Sequence, residues 1–582
     1  LAAVPRDPIV MPLAQQLVDD WPPHTFNLHR LPFEDGRVEL LLAFGDARDW
    51  LPQIDAAVDA FFLDGFAPAK NPQLWEPRLF KSMGRIAVPE ATAATWSAAK
   101  PVRDGLRAAG FDARRADGRD GKRDITVARY APAFATRLRD RRRPATPSRS
   151  GDPVLVVGAG LAGCATACAL AEHGLASIVI DRTEAIASEG SANPGGLFHG
   201  VVHRDDARHA RWHRAAAFEA RRQVADAIAS HGVAGGLDGL LRLEIPVQAG
   251  HFDACVARMK DTVLRLGFPA SYVAPLTPSQ ASAHGGVPVA VPAWFFPGGG
   301  WVDPRGLARA YIDRAGSSVE LRLDTTVAAL RIDDDGRWLL LDPAGRTIAS
   351  SPHVVLANGG GALELLGAND CTGLIEKRRG QLSAAPTSAL PLQARVRLPI
   401  AGAGYVLPPI DGRVWFGATS DLEDGDAPRE NDHRRNVERL RHLLPYAPLL
   451  SPDKLDDRVA FRYSTRDRLP LIGAVPAAWL GPALREKRAI ADSRHPEQVR
   501  SAARAPGLFM LSALGSRGIA GSALGARLVA AAIGGAPMTI EADLLDAIDP
   551  ARFACRAWRR GRGGVASLDQ PAGPTAGGSA GS

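Results

Sequence analysis

Short apolar runs separated by helical stretches set the frame of this chain. Residues 154–157 (VLVV) are uninterrupted by any polar position, the pattern of a strand buried on both faces in a parallel sheet. An Ala-rich stretch over 161–173 predicts a helix, and a second apolar run over 176–180 ends in Asp181. Residues 353–359 (HVVLANG) predict a further buried strand, a third crossover onto the same sheet. Residues 507–511 predict a last parallel strand that leads into a helix over 520–533. Between these runs the pattern alternates: 319–335 and 337–341 predict antiparallel strands, and 406–408 with 413–419 predict a hairpin. Upstream, 38–43, 58–63 and 91–97 read as strands and 75–83 and 101–109 as helices, which predicts a parallel α/β sheet.

Polar breaks divide the chain. Residues 1–130 form a first unit, and 131–152 (APAFATRLRDRRRPATPSRSGD) is an Arg-, Pro- and Ser-rich linker. Its Arg137 to Arg143 cluster reads as a solvated charge run or a phosphate contact. A second unit spans 153–558, and the Gly-, Ala- and Ser-rich tail over 559–582 predicts disorder. The expected fold class is α/β: a partial Rossmann-like domain, then a Rossmann-type dinucleotide domain interleaved with an antiparallel β substrate domain.

The strand at 154–157 runs into Gly158, Gly160 and Gly163, spaced G-x-G-x-x-G. The first glycine permits a tight turn, the second lets a pyrophosphate approach the backbone, and the third lets helix and strand pack closely. Asp181 lies eighteen residues beyond Gly163, near the spacing of a carboxylate that holds a ribose hydroxyl. The apolar length of 154–171 also suits a membrane span, but three glycines and a mid-chain position argue against one. The small-residue loop 187–196 can press its backbone against a flat ligand, and Gly515, Ser516, Arg517 and Gly518 offer a second helix N-terminus to a cofactor edge. Asp46 and Asp64 follow predicted strands, where ligands of parallel sheets sit, although both residue types also start ordinary turns.

Composition narrows the class. At 582 residues, with 46% hydrophobic and 23% charged positions, the chain is an ordinary globular protein of two to four domains. A net charge of +7 permits an anionic partner. The five cysteines show neither C-x-x-C nor zinc spacing, and Cys164 and Cys168 read as small buried thiols. No signal peptide opens the chain, so the expected compartment is the cytoplasm. Leu1 and the lack of an opening strand–glycine turn suggest a protein whose beginning is missing.

From 153 to 555 these residues resemble the flavin-dependent amine oxidases of the glycine oxidase, sarcosine oxidase and D-amino acid oxidase group. Within that group, PGGGWVDP (297–304), VVLANG (354–359), RRGQLS (378–383), FGATSDLEDGDAPRENDHRRN (416–436), RYSTRDRLPLIGAVP (462–476) and ALGSRGIAGSALGARLVA (513–530) are similar to the oxidase half of the MnmC family. Those bifunctional enzymes finish a modified wobble uridine in tRNA. Residues 29–51 and 57–75, with the run DGFAPAKNP (64–72), resemble the family's S-adenosylmethionine-dependent methyltransferase half. The glycine-rich loop and acidic ribose ligand that open that half are absent upstream of Met11, so the resemblance there covers its back part.

The resemblance implies FAD held by Gly158, Gly160, Gly163 and Asp181, with Ser191, Asn193, Gly195 and Gly196 along the isoalloxazine. It implies tRNA as partner, and oxidation of a 5-carboxymethylaminomethyl group to the aminomethyl base and glyoxylate. S-adenosylmethionine-dependent methylation follows in the complete family protein, with Asp46 a candidate cofactor residue and Asp64 a candidate catalytic one. A substrate carboxylate calls for a fixed guanidinium. By the same resemblance this is Arg462, with Tyr405 as its companion; the plain alternative for Arg462 is a surface ion pair. Two other functions fit these residues: an oxidase of free glycine or sarcosine, and a non-catalytic tRNA-binding scaffold.

Overall fold

The structure, a computed structural model, describes residues 7–118, 123–133, 151–245, 250–367, 373–390, 396–488 and 495–560. The Arg137 to Arg143 cluster, nearly all of the linker, Cys371 and most of the tail lie outside the described residues.

The wholly buried runs pair first. Val154–Val157 lies between Ser177–Ile180 and Val354–Leu356, all parallel, in a six-stranded sheet. Its order is Val319–Arg322, Ser177–Ile180, Val154–Val157, Val354–Leu356, Arg504–Ser512 and Leu471–Pro476, with only the last antiparallel. Val319–Arg322 therefore corrects the sequence reading: it is a parallel edge of the nucleotide sheet. The antiparallel lobe is Ala329–Ile332, Trp338–Leu341 and Thr347–Ser351.

Leu161–Glu172 is buried nearly all round because Gly518–Gly534 and Pro304–Ala315 pack on it from outside the sheet. Small residues allow that approach. A Cβ on Gly163 would sit 1.8 Å from the Gly158 carbonyl oxygen, and one on Gly158, at φ +106°, would come within 2.9 Å of the Ala357 carbonyl. Cys164 and Cys168 are buried in this helix, and burial pushes both thiols up to about 12.

The second layer is an eight-stranded sheet in the order Ala274–Leu276, Ala293–Phe296, Leu240–Leu243, Ile400–Ala401, Tyr405–Val406, Arg413–Gly417, Ile375–Pro386 and Asp456–Thr465. Helix Glu430–Leu443 covers one of its faces. There Ser383 Oγ meets His433 Nδ1 at 2.8 Å, and Arg379 and Asp432 form a buried ion pair at 2.5 Å.

The first unit departs most from expectation. Leu28–Phe33 and Val38–Ala43 form a separate antiparallel hairpin, while Val58–Phe62, Ala87–Thr95, Asp124–Tyr130 and Phe111–Asp117 form a four-stranded sheet in which only the first pair is parallel. The predicted all-parallel sheet is thus a mixed sheet plus a hairpin. The hairpin's polar residues account for its position. Arg30 joins Glu39 and approaches Glu219 of helix Arg208–His231 at 3.9 Å, and Asn27 accepts from Arg214 at 2.5 Å. Burial holds the His29 imidazole neutral, down to about 4. Downstream, Asp543 N–H donates to Gln53 Oε1 at 3.0 Å and Met538 N–H to the Asp55 carbonyl at 2.9 Å.

Candidate functional site

The carboxyl ends of the nucleotide strands and one face of the eight-stranded sheet enclose the site. Strand register builds that face. Tyr405 pairs with Gly417, Gly417 with Leu382, and Leu382 with Arg458, so the Tyr405, Leu382 and Arg458 side chains point the same way. Arg462 lies four residues beyond Arg458 on strand Asp456–Thr465 and shares the face by alternation. It is the face away from helix Glu430–Leu443.

The Arg462 guanidinium lies over Gly380: a Cβ on that glycine would be 3.2 Å from its Nη2. Arg462 is half-buried and has no hydrogen bond or ion pair among the described residues. Burial raises the Tyr405 hydroxyl above its ordinary value, and the nearby Arg462 charge partly offsets this. An unpaired guanidinium near the hydroxyl of a half-buried tyrosine is a fitting receptor for a carboxylate, which accepts from both.

The same strand end rests on the nucleotide side. Ser464 bridges to Leu514, and Gly515, at φ +60°, would bring a Cβ 3.5 Å from the Ser464 Cβ. Arg517 donates to the His199 carbonyl at 3.0 Å. Ser516 is exposed, and a Cβ on Gly518 would meet nothing within 4 Å. Tyr463 packs under Gly359 and Gly360, where a Cβ would come within 3.2 Å and 2.3 Å of its ring.

The glycine triplet separates by what surrounds it. Gly158 and Gly163 are fixed by protein contacts, but a Cβ on Gly160 would meet only Ser191 Oγ, at 3.4 Å. Ser191 Oγ accepts from Leu161 N–H at 3.0 Å, at the start of the helix whose first amides lack intrahelical partners. Asp181 accepts from Ala159 N–H at 2.5 Å and from the Thr183 backbone and hydroxyl at 2.8 and 2.7 Å. Gly195 and Gly196 are held by neighbours: Leu407, Ile410 and Trp301 crowd the first, and Ile519 the second. Two buried amide oxygens, Asn193 Oδ1 and Asn358 Oδ1, have no hydrogen-bond partner among the described residues. The open side of Gly160 and Gly518, with these two orphaned acceptors, makes the crevice fit a dinucleotide with donors to offer. Asn358, Tyr463 and Gly380 were not singled out from the sequence, although each lies inside a motif quoted for the resemblance.

Asp46 and Asp64 follow strands of different sheets. Asp46 follows the hairpin strand Val38–Ala43, and Asp64 follows Val58–Phe62 of the four-stranded sheet. The Asp46 carboxylate caps helix Ala47–Trp50 and pairs with Arg48 at 2.6 Å; that side-chain hydrogen bond holds its carboxyl down at about 2. Asp64 is exposed.

Residues 153–532 match the family model described as FAD dependent oxidoreductase, and 8–131 match that of S-adenosyl-L-methionine-dependent methyltransferase. The tRNA 5-methylaminomethyl-2-thiouridine biosynthesis bifunctional protein MnmC of Methylibium petroleiphilum is 45% identical over 565 residues, covering 94% of this chain and 82% of that protein. The protein of the same description from Burkholderia pseudomallei is 41% identical over 557 residues, 95% and 82% of the two chains. Among solved structures, glycine oxidase from Bacillus cereus superposes with a TM-score of 0.50 at 19% identity, over 66% of this chain and 95% of that one. L-proline dehydrogenase from P. horikoshii superposes with a TM-score of 0.52 at 16% identity, over 70% and 98%. At those identities the likeness is one of fold.

Proposed function

The chain belongs to the MnmC family of bifunctional proteins, and from that premise we propose that it removes the carboxymethyl group from 5-carboxymethylaminomethyl-(2-thio)uridine at the wobble position of tRNA. The larger domain is an FAD-dependent oxidoreductase acting on a CH–NH bond. In the family reaction, S-adenosylmethionine-dependent methylation of the resulting 5-aminomethyl base follows. A tRNA substrate fits a cytoplasmic setting, and among the described residues no helix is long and apolar enough to cross a membrane.

The observation that carries this reading is the unpaired Arg462 guanidinium beside Tyr405, on the sheet face that meets the glycine turns. Arg462 would hold the substrate carboxylate in two parallel hydrogen bonds, and the Tyr405 hydroxyl would donate a third. Holding the carboxylate fixes the methylene between it and the amine. The half-buried wall favours the neutral amine, which is the form that can be oxidised. FAD, when bound, supplies the two-electron acceptor for the carbon–hydrogen bond. Water then hydrolyses the imine to the aminomethyl base and glyoxylate. Gly158, Gly160, Gly163, Asp181, Ser191, Asn193, Gly195, Gly196 and the turn Gly515 to Gly518 would hold the cofactor.

Incubation of the purified chain with tRNA carrying the modified base is expected to give glyoxylate and the 5-aminomethyl nucleoside by mass spectrometry. Turnover of glycine or sarcosine without tRNA would favour the small-amine oxidase, and a purified chain that retains no flavin the scaffold.

The surroundings of the glycines make a second prediction. Gly160→Val is expected to fold with wild-type thermal stability and lose flavin absorbance, because its side chain fills space that no protein atom uses. Gly163→Ala is expected to lose stability outright, since its Cβ meets the Gly158 carbonyl. Normal FAD content in Gly160→Val would move the pyrophosphate elsewhere.

A further inference from the structure

Arg242 is a charge inside the apolar strand Leu240–Leu243, and neither the sequence motifs nor the proposed reaction use it. Leu241 and Leu243, its neighbours, enter the core on the far face of the eight-stranded sheet. Register carries Arg242 to the near face: it pairs with Ala401, and Ala401 pairs with Tyr405. Arg242 and Tyr405 thus point the same way, two strands apart, about 10 Å at ordinary strand spacing.

The Arg242 charge is felt at Arg517, His199 and His203. Burial and then the Arg242 charge bring the Arg517 guanidinium down to about 10, and burial with these two arginines keeps His199 and His203 neutral. Arg242 is half-buried and has no hydrogen bond or ion pair among the described residues; Arg517 has only the His199 carbonyl. The acids nearby are committed. Asp206 is paired with Arg214 at 2.7 Å, and Asp467 with Arg552 and Arg556 at 2.9 and 2.7 Å. Two partly desolvated guanidiniums that feel each other's charge without a carboxylate repel, and a bound anion would relieve this. His203 is exposed, so the pocket opens to solvent and a polymer's backbone can reach it.

We propose that Arg242, backed by Arg517, forms a second oxyanion site that takes a phosphodiester flanking the modified nucleoside, while Arg462 takes its carboxylate. The inference rests on the proposed function. A phosphodiester and a carboxylate share the oxyanion chemistry, so the test must part them.

The full chain with FAD would be assayed on two substrates: an anticodon stem-loop RNA carrying 5-carboxymethylaminomethyluridine at the wobble position, and the free nucleoside. Arg242→Ala is expected to raise KM for the stem-loop roughly 10- to 100-fold, the loss of one charged hydrogen-bonding partner, and to leave the free nucleoside unchanged. Arg242→Lys should recover part of the loss. In binding to the unmodified stem-loop, measured by fluorescence anisotropy, Arg242→Ala should flatten the slope of log affinity against log salt by about 0.7, one single-strand phosphate. Equal loss on both substrates would assign Arg242 to the carboxylate and overturn the proposal. So would an unchanged KM with an unchanged salt slope. If wild-type protein oxidised neither substrate, the proposed function would fail, and the salt slope would still decide the Arg242 site because it needs no turnover.

Discussion

Replacing Arg462 with alanine is expected to slow glyoxylate formation from modified tRNA by ~30- to ~5,000-fold, equivalent to about 2–5 kcal/mol. The size follows from the surroundings. Arg462 sits half-buried over Gly380 with no hydrogen bond or ion pair among the described residues, so truncation would leave the substrate carboxylate in a partly dry wall with Tyr405 to meet it. The loss should fall on single-turnover rate with tRNA and FAD both saturating. FAD content and overall tRNA affinity should hardly change, since phosphate contacts dominate that affinity. Arg462→Lys should restore only part of the rate, because an ammonium cannot offer the planar fork. A wild-type rate in Arg462→Ala would mean that the carboxylate is held elsewhere, with Arg517 as the next candidate.

The parts of the fold that short-range packing decides were legible in the sequence. Val154–Val157, its glycine turn and helix Leu161–Glu172 stand where the pattern placed them, because Gly163 is demanded by the Gly158 carbonyl five residues earlier. Partners chosen over long separations were not. Val319–Arg322 alternates like its neighbours downstream, yet its partner is Ser177–Ile180, well over a hundred residues earlier. The strand at 38–43 was legible, but its partner Leu28–Phe33 carries His29, Arg30 and Pro32 and does not read as an apolar strand. Its stability comes from the helix it docks on. Asp46 follows a strand of the docked hairpin and Asp64 one of the mixed sheet. Arg462 and Tyr405 were each named, but only register shows that they share a face. Arg242 carried a signal that passed unused, a charge in the middle of an apolar run.

The second large effect is expected at the seam between the hairpin and the oxidase domain. Glu219 is buried on helix Arg208–His231, 2.9 Å from Arg527, 3.0 Å from Arg222 and 3.9 Å from Arg30 of the hairpin. Burial alone would raise its carboxyl; the charges of Arg527, Arg222 and Arg30 outweigh that and hold it at about 2. Glu219→Gln removes the central anion and leaves three guanidiniums facing one another, with Glu39 and Glu172 at the edges. The expected loss is about 3–5 kcal/mol in urea unfolding at pH 7. The pH dependence is specific. The folded carboxyl is depressed below its unfolded value near 4.5, so the stabilisation is fully present above that value. It is lost as pH falls toward 2, where the depression amounts to about 3 kcal/mol. The gap between wild type and Glu219→Gln should therefore narrow steadily from pH 5 to pH 2. Limited proteolysis of the variant at pH 7 should cut first near the hairpin, whose Arg30 loses its ion pair with Glu219. A gap that stays constant through that acid window would show that the ionised carboxylate is not what ties the hairpin to the oxidase domain.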